Sequence, residues 1–352
     1  MLRSTGQHNG HLPDRSMNLP KLSVRHLLGI RELSSRDILT TLHVAGTMRQ
    51  NYLDPGVRGT LLEGKTVVNL FIEDSTRTRN SFQLAETRLG ATALNVTGGG
   101  SSLSKGETLL DTARVIEAMN VDAIVLRHSA ATAPHFLAER CSSIFINAGD
   151  GRHEHPTQGL LDAYTLFERW YDPAQPEKTG FEGKQVTIVG DISHGRVAGS
   201  NIPTLQKLGA NVAVCGPPTL IPRGIEELGV RVIPTLDEAI ESSDALNMLR
   251  MQLERQKQAF VPSIAEYARL YGLNHNRLRQ AERSDLLILH PGPINRGVEL
   301  DSEAADSSNS LILRQVGNGV AVRMAILALL LNPGVEEWGE KIEESIESDT
   351  LG

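Results

Sequence analysis

The segment at 71–82 carries groups suited to binding an anion. It reads Phe-Ile-Glu-Asp-Ser-Thr-Arg-Thr-Arg-Asn-Ser-Phe, so an apolar strand ends where a helix opens among hydroxyls and guanidiniums. The first N–H groups of a helix have no intrahelical partner and lie at the positive end of its dipole, where they attract anions. Ser75, Thr76 and Thr78 add hydroxyls, and Arg77 can fork onto two phosphate oxygens. Taken whole, the run predicts a phosphate site rather than an ordinary capped helix with surface arginines.

Further polar segments carry related groups. A Ser-rich loop at 101–107 offers Ser101 and Lys105, although a lysine in a polar loop is usually only solvated. Arg127 stands at the end of an apolar stretch, which is where open parallel sheets bind their ligands. The remaining segments, which also follow apolar stretches, are His155-Pro-Thr-Gln158, Leu249-Arg-Met-Gln252 and His290-Pro-Gly-Pro-Ile-Asn-Arg296. Each has a structural interpretation when taken alone, and only their co-occurrence predicts a site.

The elements that must position these groups alternate in type along the chain. Helical spacing of apolar residues covers 23–53, with Ser34 and Ser35 as N-cap candidates. Short apolar strands follow at 65–72, 122–126 and 144–147, with helical segments between them, and five more strands follow residue 183. This alternation predicts an α/β protein with two doubly wound domains, each a central parallel sheet flanked by helices.

Chain length supports two domains, because 352 residues exceed what one compact core usually holds. We expect a mobile N-terminal tail at 1–20 and an acidic C-terminal tail at 336–352. The amphipathic segment 160–171 and the Pro-containing loop after it should connect the two domains.

Bulk properties limit the classes of partner. The formal charge of −7 argues against a nucleic-acid or acidic-membrane partner, and the two cysteines have no zinc-ligand spacing around them. No apolar leader precedes residue 16, and the longest apolar run, 319–331, is interrupted by Arg323 and short for a bilayer. We expect a cytoplasmic protein without metal, cofactor or disulfide.

Together these segments resemble the aspartate and ornithine carbamoyltransferase family from about residue 21 to residue 332. The resemblance implies one domain of 21–152 together with 312–335, where the C-terminal helix packs back on it, and another of 153–311. The resemblance implies that Ser75, Thr76, Arg77 and Thr78 bind carbamoyl phosphate. It implies that the carbamoyl end is held by Arg127, His155, Gln158, Pro291 and Gly292. The loop with Ser101 and Lys105 would come from an adjacent subunit, so the implied assembly is a homotrimer with shared active sites. A regulatory-chain or dihydroorotase partner is left open.

Aspartate, with two carboxylates, would need arginines. The resemblance assigns Arg196, Arg250 and Gln252 to aspartate, together with Lys105. The ornithine branch typically carries Asp-x-x-x-Ser-Met-Gly and His-Cys-Leu-Pro segments, and this sequence has neither. One departure concerns Asp74, which stands where many members have proline, and we expect its carboxylate to point away or to pair with an arginine.

The implied reaction needs neither a metal nor a covalent intermediate, because the substrate amine attacks an activated carbonyl. The resemblance implies catalytic roles for Arg77, Thr78, Lys105, Arg127 and His155, and an early step of pyrimidine biosynthesis.

Three alternatives are opposed by particular residues. A nicotinamide-dependent dehydrogenase would need G-x-G-x-x-G, which the Gly-Asp-Ile-Ser-His-Gly-Arg stretch at 190–196 lacks. Transfer to ornithine or another amine is opposed by the arginines assigned to aspartate. A purely structural homologue would require loss of phosphate or carbamoyl groups that are all present.

Overall fold

The computed structural model describes residues 19–54, 56–98, 106–252 and 260–332. The predicted loop residues Ser101 and Lys105 lie outside this part of the chain. So do the two predicted tails, apart from Leu19, which is buried in the core, and Pro20.

The first sheet is parallel and has the strand order β2-β1-β3-β4. Its strands are β1 (Thr66–Phe71), β2 (Thr92–Thr97), β3 (Ala123–His128) and β4 (Ile144–Asp150). The helices around it are α1 (Ser35–Tyr52), α2 (Thr76–Leu89), α3 (Leu109–Glu117) and α4 (Ala133–Ala138). The edge strand β2 was not predicted, because it is only partly buried and lacks an apolar run.

The second sheet is also parallel, with the order β7-β6-β5-β8-β9. Its strands are β5 (Gln185–Val189), β6 (Asn211–Cys215), β7 (Arg231–Ile233), β8 (Ala245–Met248) and β9 (Leu287–Leu289). The later helices are α5 (Pro156–Trp170), α6 (Val197–Lys207), α7 (Leu236–Ser242), α8 (Ile264–Tyr271), α9 (His275–Ala281), α10 (Ser302–Ala305) and α11 (Ile312–Leu331). Two parallel sheets flanked by helices confirm the predicted fold class.

The first predicted helix starts later than its apolar spacing suggested. A capping box sets the boundary, since the Ser34 side chain accepts from Asp37 N and the Asp37 carboxylate accepts from Ser34 N. The prediction of helix over 23–33 was wrong. Leu27 instead exchanges backbone hydrogen bonds with Phe145 and Asn147 beside β4, so the apolar residues of this segment are buried without forming a helix.

Helix α11 returns from the second sheet and packs against α1, α2 and α5. Its length and composition would allow it to cross a membrane, but most of the helix is buried inside the protein. A polar face would be unfavourable in such surroundings, which accounts for its apolar composition as a core helix.

Candidate functional site

The predicted site residues follow the carboxyl ends of parallel strands at two switch points. Strands β1 and β3 are neighbours, and their crossovers lead to opposite sides of the sheet; β5 and β8 repeat this arrangement in the second sheet. Loops diverge there and leave a crevice, which is where open α/β sheets bind ligands. The segment 73–78 follows β1, and Arg127 ends β3. Arg196 and Arg250 follow β5 and β8.

The N-terminus of α2 is arranged to receive an anion. Its N-cap residue, Ser75, makes no side-chain cap hydrogen bond and instead donates to Thr78 Oγ1 at 3.0 Å. The first amides of the helix, beginning at Thr76, are therefore not taken up by the cap, and the helix dipole adds a favourable field. Thr78 is buried and Asp74 is exposed.

Arg77 meets the loop that follows β9. A Cβ added at Gly292 would lie 2.6 Å from Arg77 Nη1, and Gly292 itself has a φ of +66°. A side chain there would be strained and would collide with the guanidinium. Arg77 is exposed as a whole, but partial desolvation of its guanidinium and the charge of Arg250 lower its pKa. The phosphate motif, the 290–293 loop with half-buried Pro291, and Arg250 therefore converge.

Arg127 and Arg196 share one carboxylate, that of Glu73. Arg127 Nη2 donates to Glu73 Oε1 at 2.7 Å, and Arg196 donates to both carboxylate oxygens, with Nη1 3.3 Å from Oε2. The register of β3 shifts at Arg127, as at a bulge that re-aims a side chain. A Cβ on Gly149 would lie 3.0 Å from Arg127 Nη1 and 3.1 Å from Arg196 Nη1, so only glycine lets the two guanidiniums lie there.

His155 is the N-cap residue of α5 and is 6% exposed. Its backbone N–H donates to Ser200 Oγ at 2.9 Å, and its Nδ1 lies 3.4 Å from Thr157 Oγ1. Burial, together with the charges of Arg127, Arg196 and Arg323, holds the pKa of His155 well below its usual value. The imidazole is therefore neutral, and if Nδ1 accepts from the Thr157 hydroxyl, the ring proton lies on Nε2, where it can be donated to a ligand.

Gln158 and Gln252 differ in how firmly they are held. Gln158 is 8% exposed and donates through Nε2 to Asp162 Oδ1 at 2.8 Å. Gln252 is only half-buried, and its Nε2 reaches the Arg250 carbonyl oxygen at 3.4 Å. The amide of Gln158 is thus oriented in advance, whereas that of Gln252 is held by one long contact.

Two charged residues of the site were not predicted from the sequence. Glu73 stands two positions before Ser75, and its only signal was an acid between a strand and the Ser/Thr/Arg run. Arg323 is buried in α11, where it donates to Ser81 Oγ at 2.8 Å and to Gly319 O at 3.1 Å. Burial and the charge of Arg127 lower the pKa of Arg323 to about 10. In the sequence, the only indication of a role for Arg323 was that it is a charged residue inside the longest apolar run, 319–331.

The assembled groups suit transfer chemistry between two anionic substrates. Arginines face the crevice from both sheets, beside one carboxylate and a neutral imidazole. Such preorganised donors stabilise developing negative charge without supplying a nucleophile of their own. The arrangement fits attack by a substrate nucleophile on a group activated by phosphate.

Comparison with known families gives two matches that together cover most of the chain. Residues 25–168 match the carbamoyl-P binding domain of aspartate/ornithine carbamoyltransferases. Residues 182–330 match the Asp/Orn binding domain of the same family.

Individual relatives agree with this match. The chain is 55% identical to the aspartate carbamoyltransferase catalytic subunit of Gemmatimonas aurantiaca over 87% of this chain and 93% of that protein. It resembles the Trypanosoma cruzi aspartate transcarbamoylase solved with carbamoyl phosphate and aspartate, with a TM-score of 0.77, 29% identity, and coverage of 89% and 99% of the two chains. It also resembles an ornithine carbamoyltransferase from Pyrococcus furiosus, with a TM-score of 0.73, 27% identity, and coverage of 89% and 98%.

Proposed function

The chain belongs to the aspartate/ornithine carbamoyltransferase family, and on that premise we propose that it transfers the carbamoyl group of carbamoyl phosphate to the α-amine of L-aspartate. The products are N-carbamoyl-L-aspartate and phosphate, as in an early step of pyrimidine biosynthesis. The observation that carries the proposal is the convergence of Arg77, Arg127, Arg196 and Arg250 on one crevice beside a neutral His155.

The phosphate of the first substrate is assigned to the N-terminus of α2. Ser75, Thr76 and Thr78 supply amides and hydroxyls, and Arg77 supplies the fork. Arg127, His155 and Gln158 hold the carbamoyl end, which the backbone of Pro291 and Gly292 closes from the other side. We accordingly assign the phosphate cradle and Arg127 to the unit 21–152 plus 312–335. The unit 153–311 binds aspartate and also contributes His155, Gln158, Pro291 and Gly292 to the carbamoyl end.

The reaction follows from positioning and charge. The neutral amine attacks the carbamoyl carbon, the C–O bond to phosphate breaks, and the amine proton leaves with the departing phosphate or with solvent. Thr78, Arg127 and His155 face the developing oxyanion, while Arg77 faces the departing phosphate. A neutral imidazole serves as a donor here, so the role of His155 is electrostatic.

Selectivity for aspartate rests on paired cations. Arg196 is assigned to the α-carboxylate, and Arg250 with Gln252 to the side-chain carboxylate. Glu73 engages Arg196 in the structure, so a substrate carboxylate would compete with an internal one already matched in charge and geometry. Ornithine, with a cationic side chain, would meet the positive field of Arg250 and bind poorly.

The assembly we propose is a cytoplasmic homotrimer in which Ser101 and Lys105 complete a neighbour's site. The support for this is the family resemblance of the Ser-rich loop sequence. A regulatory chain or a dihydroorotase remains open as a further partner.

The first experiment measures carbamoylated product from carbamoyl phosphate with L-aspartate and, separately, with L-ornithine. We expect product with aspartate alone. Arg77→Ala should abolish turnover, and Arg250→Ala should act mainly by raising the KM for aspartate. Arg279→Ala, an exposed arginine of α9, is the matched control and should leave both constants unchanged. A folded protein that carbamoylates neither amine would overturn the proposal.

A further inference from the structure

A carboxylate buried behind the site, that of Asp162, is surrounded by side-chain amides. Asp162 lies one turn after Gln158 on α5 and is 2% exposed. Its Oδ1 accepts from Gln158 Nε2 at 2.8 Å and from Gln315 Nε2 at 2.6 Å. Its Oδ2 accepts from Asn201 Nδ2 at 2.8 Å and from Asn247 Nδ2 at 3.1 Å. The four donors come from α5, α11, α6 and β8, so one carboxylate joins elements of both sheets.

This arrangement fixes the orientation of each amide. An ionised carboxylate only accepts hydrogen bonds and has about four lone-pair sites, so four NH2 donors saturate it. Each amide must turn its nitrogen towards Asp162 and its oxygen away. The Gln158 oxygen is therefore available on the side of the helix N-terminus where His155 lies, as an acceptor for an N–H group of a ligand.

A second path leads from the same carboxylate to the loop after β9. With its nitrogen on Asp162, Gln315 presents Oε1 to the backbone N–H of His290 at 2.9 Å. His290 Nδ1 in turn accepts from the Gly292 N–H at 2.8 Å. This chain of hydrogen bonds ends at the residue that lies against Arg77.

We propose that Asp162 is a positioning residue that sets the carbamoyl end of the site through Gln158 and Gln315. The inference rests on the proposed carbamoyl transfer and adds to it a residue that touches no substrate. Asp162 orients the acceptor oxygen of Gln158 directly, and through Gln315 it holds the backbone of the 290–293 loop.

A purely structural role accounts less well for a charge at this position. All four hydrogen-bond donors to Asp162 are neutral amides, and burial raises the pKa of its carboxyl while these donors oppose the rise. Burying a charge without a cation in direct contact is costly, and well-packed apolar residues are often as stable or more so. The need to orient several amides explains why a carboxylate occupies this position.

The test compares Asp162→Asn with the wild type by steady-state kinetics and by product inhibition. The new amide places an NH2 group against donor NH2 groups, so at least one neighbouring amide has to turn. We expect the KM for carbamoyl phosphate to rise about tenfold, as when a buried hydrogen bond is left unmade. Inhibition by inorganic phosphate should weaken by a smaller factor, because Asp162 touches no residue of the cradle on α2 and reaches only its Arg77, indirectly through Gly292.

A double-mutant cycle with Gln158→Ala separates positioning from general loosening. If Asp162 acts through Gln158, the two substitutions together should raise the KM for carbamoyl phosphate by less than the product of their separate effects. Asn201→Ala is the matched control, because it removes a donor from Oδ2, the oxygen that holds neither Gln158 nor Gln315. It should lower the melting temperature and leave this KM unchanged.

Gln315→Met covers the case in which Asp162→Asn does not fold, because it keeps the carboxylate and removes the Gln315 amide that links Asp162 to His290. It should raise the KM for carbamoyl phosphate by a larger factor than it weakens inhibition by phosphate. Multiplicative effects in the cycle, an unchanged KM in Gln315→Met, or equal losses of carbamoyl phosphate and phosphate binding would overturn the inference. An inactive wild type would instead overturn the proposed function.

Discussion

Opposing charges are balanced at the centre of the site by the carboxylate of Glu73. Glu73 holds Arg127 and Arg196 together, although two guanidiniums this close repel each other. A bound carboxylate or phosphate can take over that role. Glu73 thereby lowers the repulsion between the two guanidiniums and fixes their positions relative to each other.

His155 gives a residue-scale prediction about pH. Its imidazole is neutral because burial and three arginines lower its pKa well below the usual value. His155→Ala should lower kcat on the order of 10²-fold, as expected for loss of one oxyanion donor. The dependence of kcat on pH between 6 and 8 should keep its shape in the variant. A wild-type inflection near 6.5 that disappears in His155→Ala would show instead that this imidazole titrates during turnover.

At this scale the sequence could predict candidate residues that lie in a local pattern, and it could not predict those defined by tertiary contact. The Ser-Thr-Arg-Thr-Arg run and Arg127 carry their own context, namely a strand end before a helix or a loop. Glu73 and Asp162 have no such context, because their roles depend on donors far away in the chain. The link from Asp162 to Gln315, for example, crosses 153 positions.

At the scale of elements, β1 and α2 are joined by a buried carboxyl group. Glu86 on α2 accepts from Asn69 Nδ2 of β1 at 2.9 Å, and burial raises the pKa of Glu86 to about 8. Between the unfolded value of about 4.5 and this folded value, the folded state holds a proton that the unfolded state has lost. Stability due to this group is therefore complete below 4.5 and is lost as pH rises towards 8.

Glu86→Gln should therefore stabilise the protein more at pH 8 than at pH 5.5. The amide keeps the shape of the protonated acid and removes the cost of ionising it, which is on the order of a few kcal/mol at most. Thermal melts at the two pH values measure the difference. Glu241→Gln, at an exposed position of α7, should show no such trend, and an equal shift of both variants at both values would contradict the assignment.

The start of helix α1 can be tested with two substitutions, because the sequence offered both Ser34 and Ser35 as its N-cap residue. The structure places Ser34 at the N-cap, where its side chain accepts from Asp37 N at 3.0 Å, and makes Ser35 the first helical residue. Ser34→Ala should cost about 1 kcal/mol and lower the melting temperature. Ser35→Ala should have little effect. A larger loss of stability in Ser35→Ala than in Ser34→Ala would place the N-cap at Ser35 instead.

Strands were predictable where both of their faces are buried, because such strands consist of consecutive apolar residues. This is the case for β1 and for the strands of the second sheet. The same logic failed for β2, because an edge strand needs little burial. It also failed for residues 23–33, whose apolar residues are buried beside β4 as a loop. The spacing of apolar residues could not distinguish a helix from a buried loop at 23–33, since both place apolar residues a few positions apart.

At the scale of the whole molecule, α11 links the end of the second sheet to the helices of the first. Gln315 near its start contacts Asp162 and His290, and Arg323 further along contacts Ser81 of α2. The sequence predicted two sheets from two series of strands, and it predicted the return of this helix only through family resemblance. The alternation of strands and helices predicts two sheets flanked by helices, but it does not predict which helix of one sheet packs against which helix of the other.

The proposed trimer makes the last prediction. If Lys105 completes a neighbour's site, then Lys105→Ala and Arg77→Ala remove groups that two different chains supply to the same site. Each variant alone should be nearly inactive. Dissociating a mixture of the two and allowing it to reassemble should restore part of the activity, because a mixed trimer contains a site with a native Arg77 from one chain and a native Lys105 from its neighbour.

The control is a mixture of Arg77→Ala with Arg127→Ala. In a site shared this way both arginines come from the same chain, so no mixed trimer of these two variants has a native site and activity should stay low. Size-exclusion chromatography with light scattering checks that trimers reform in both mixtures. Recovery in neither mixture from reassembled trimers would mean that each chain builds its site alone, because complementation requires groups that cross the interface between subunits. Equal recovery in the two mixtures would mean that Arg77 and Arg127 do not come from one chain, which would contradict the site sharing proposed here.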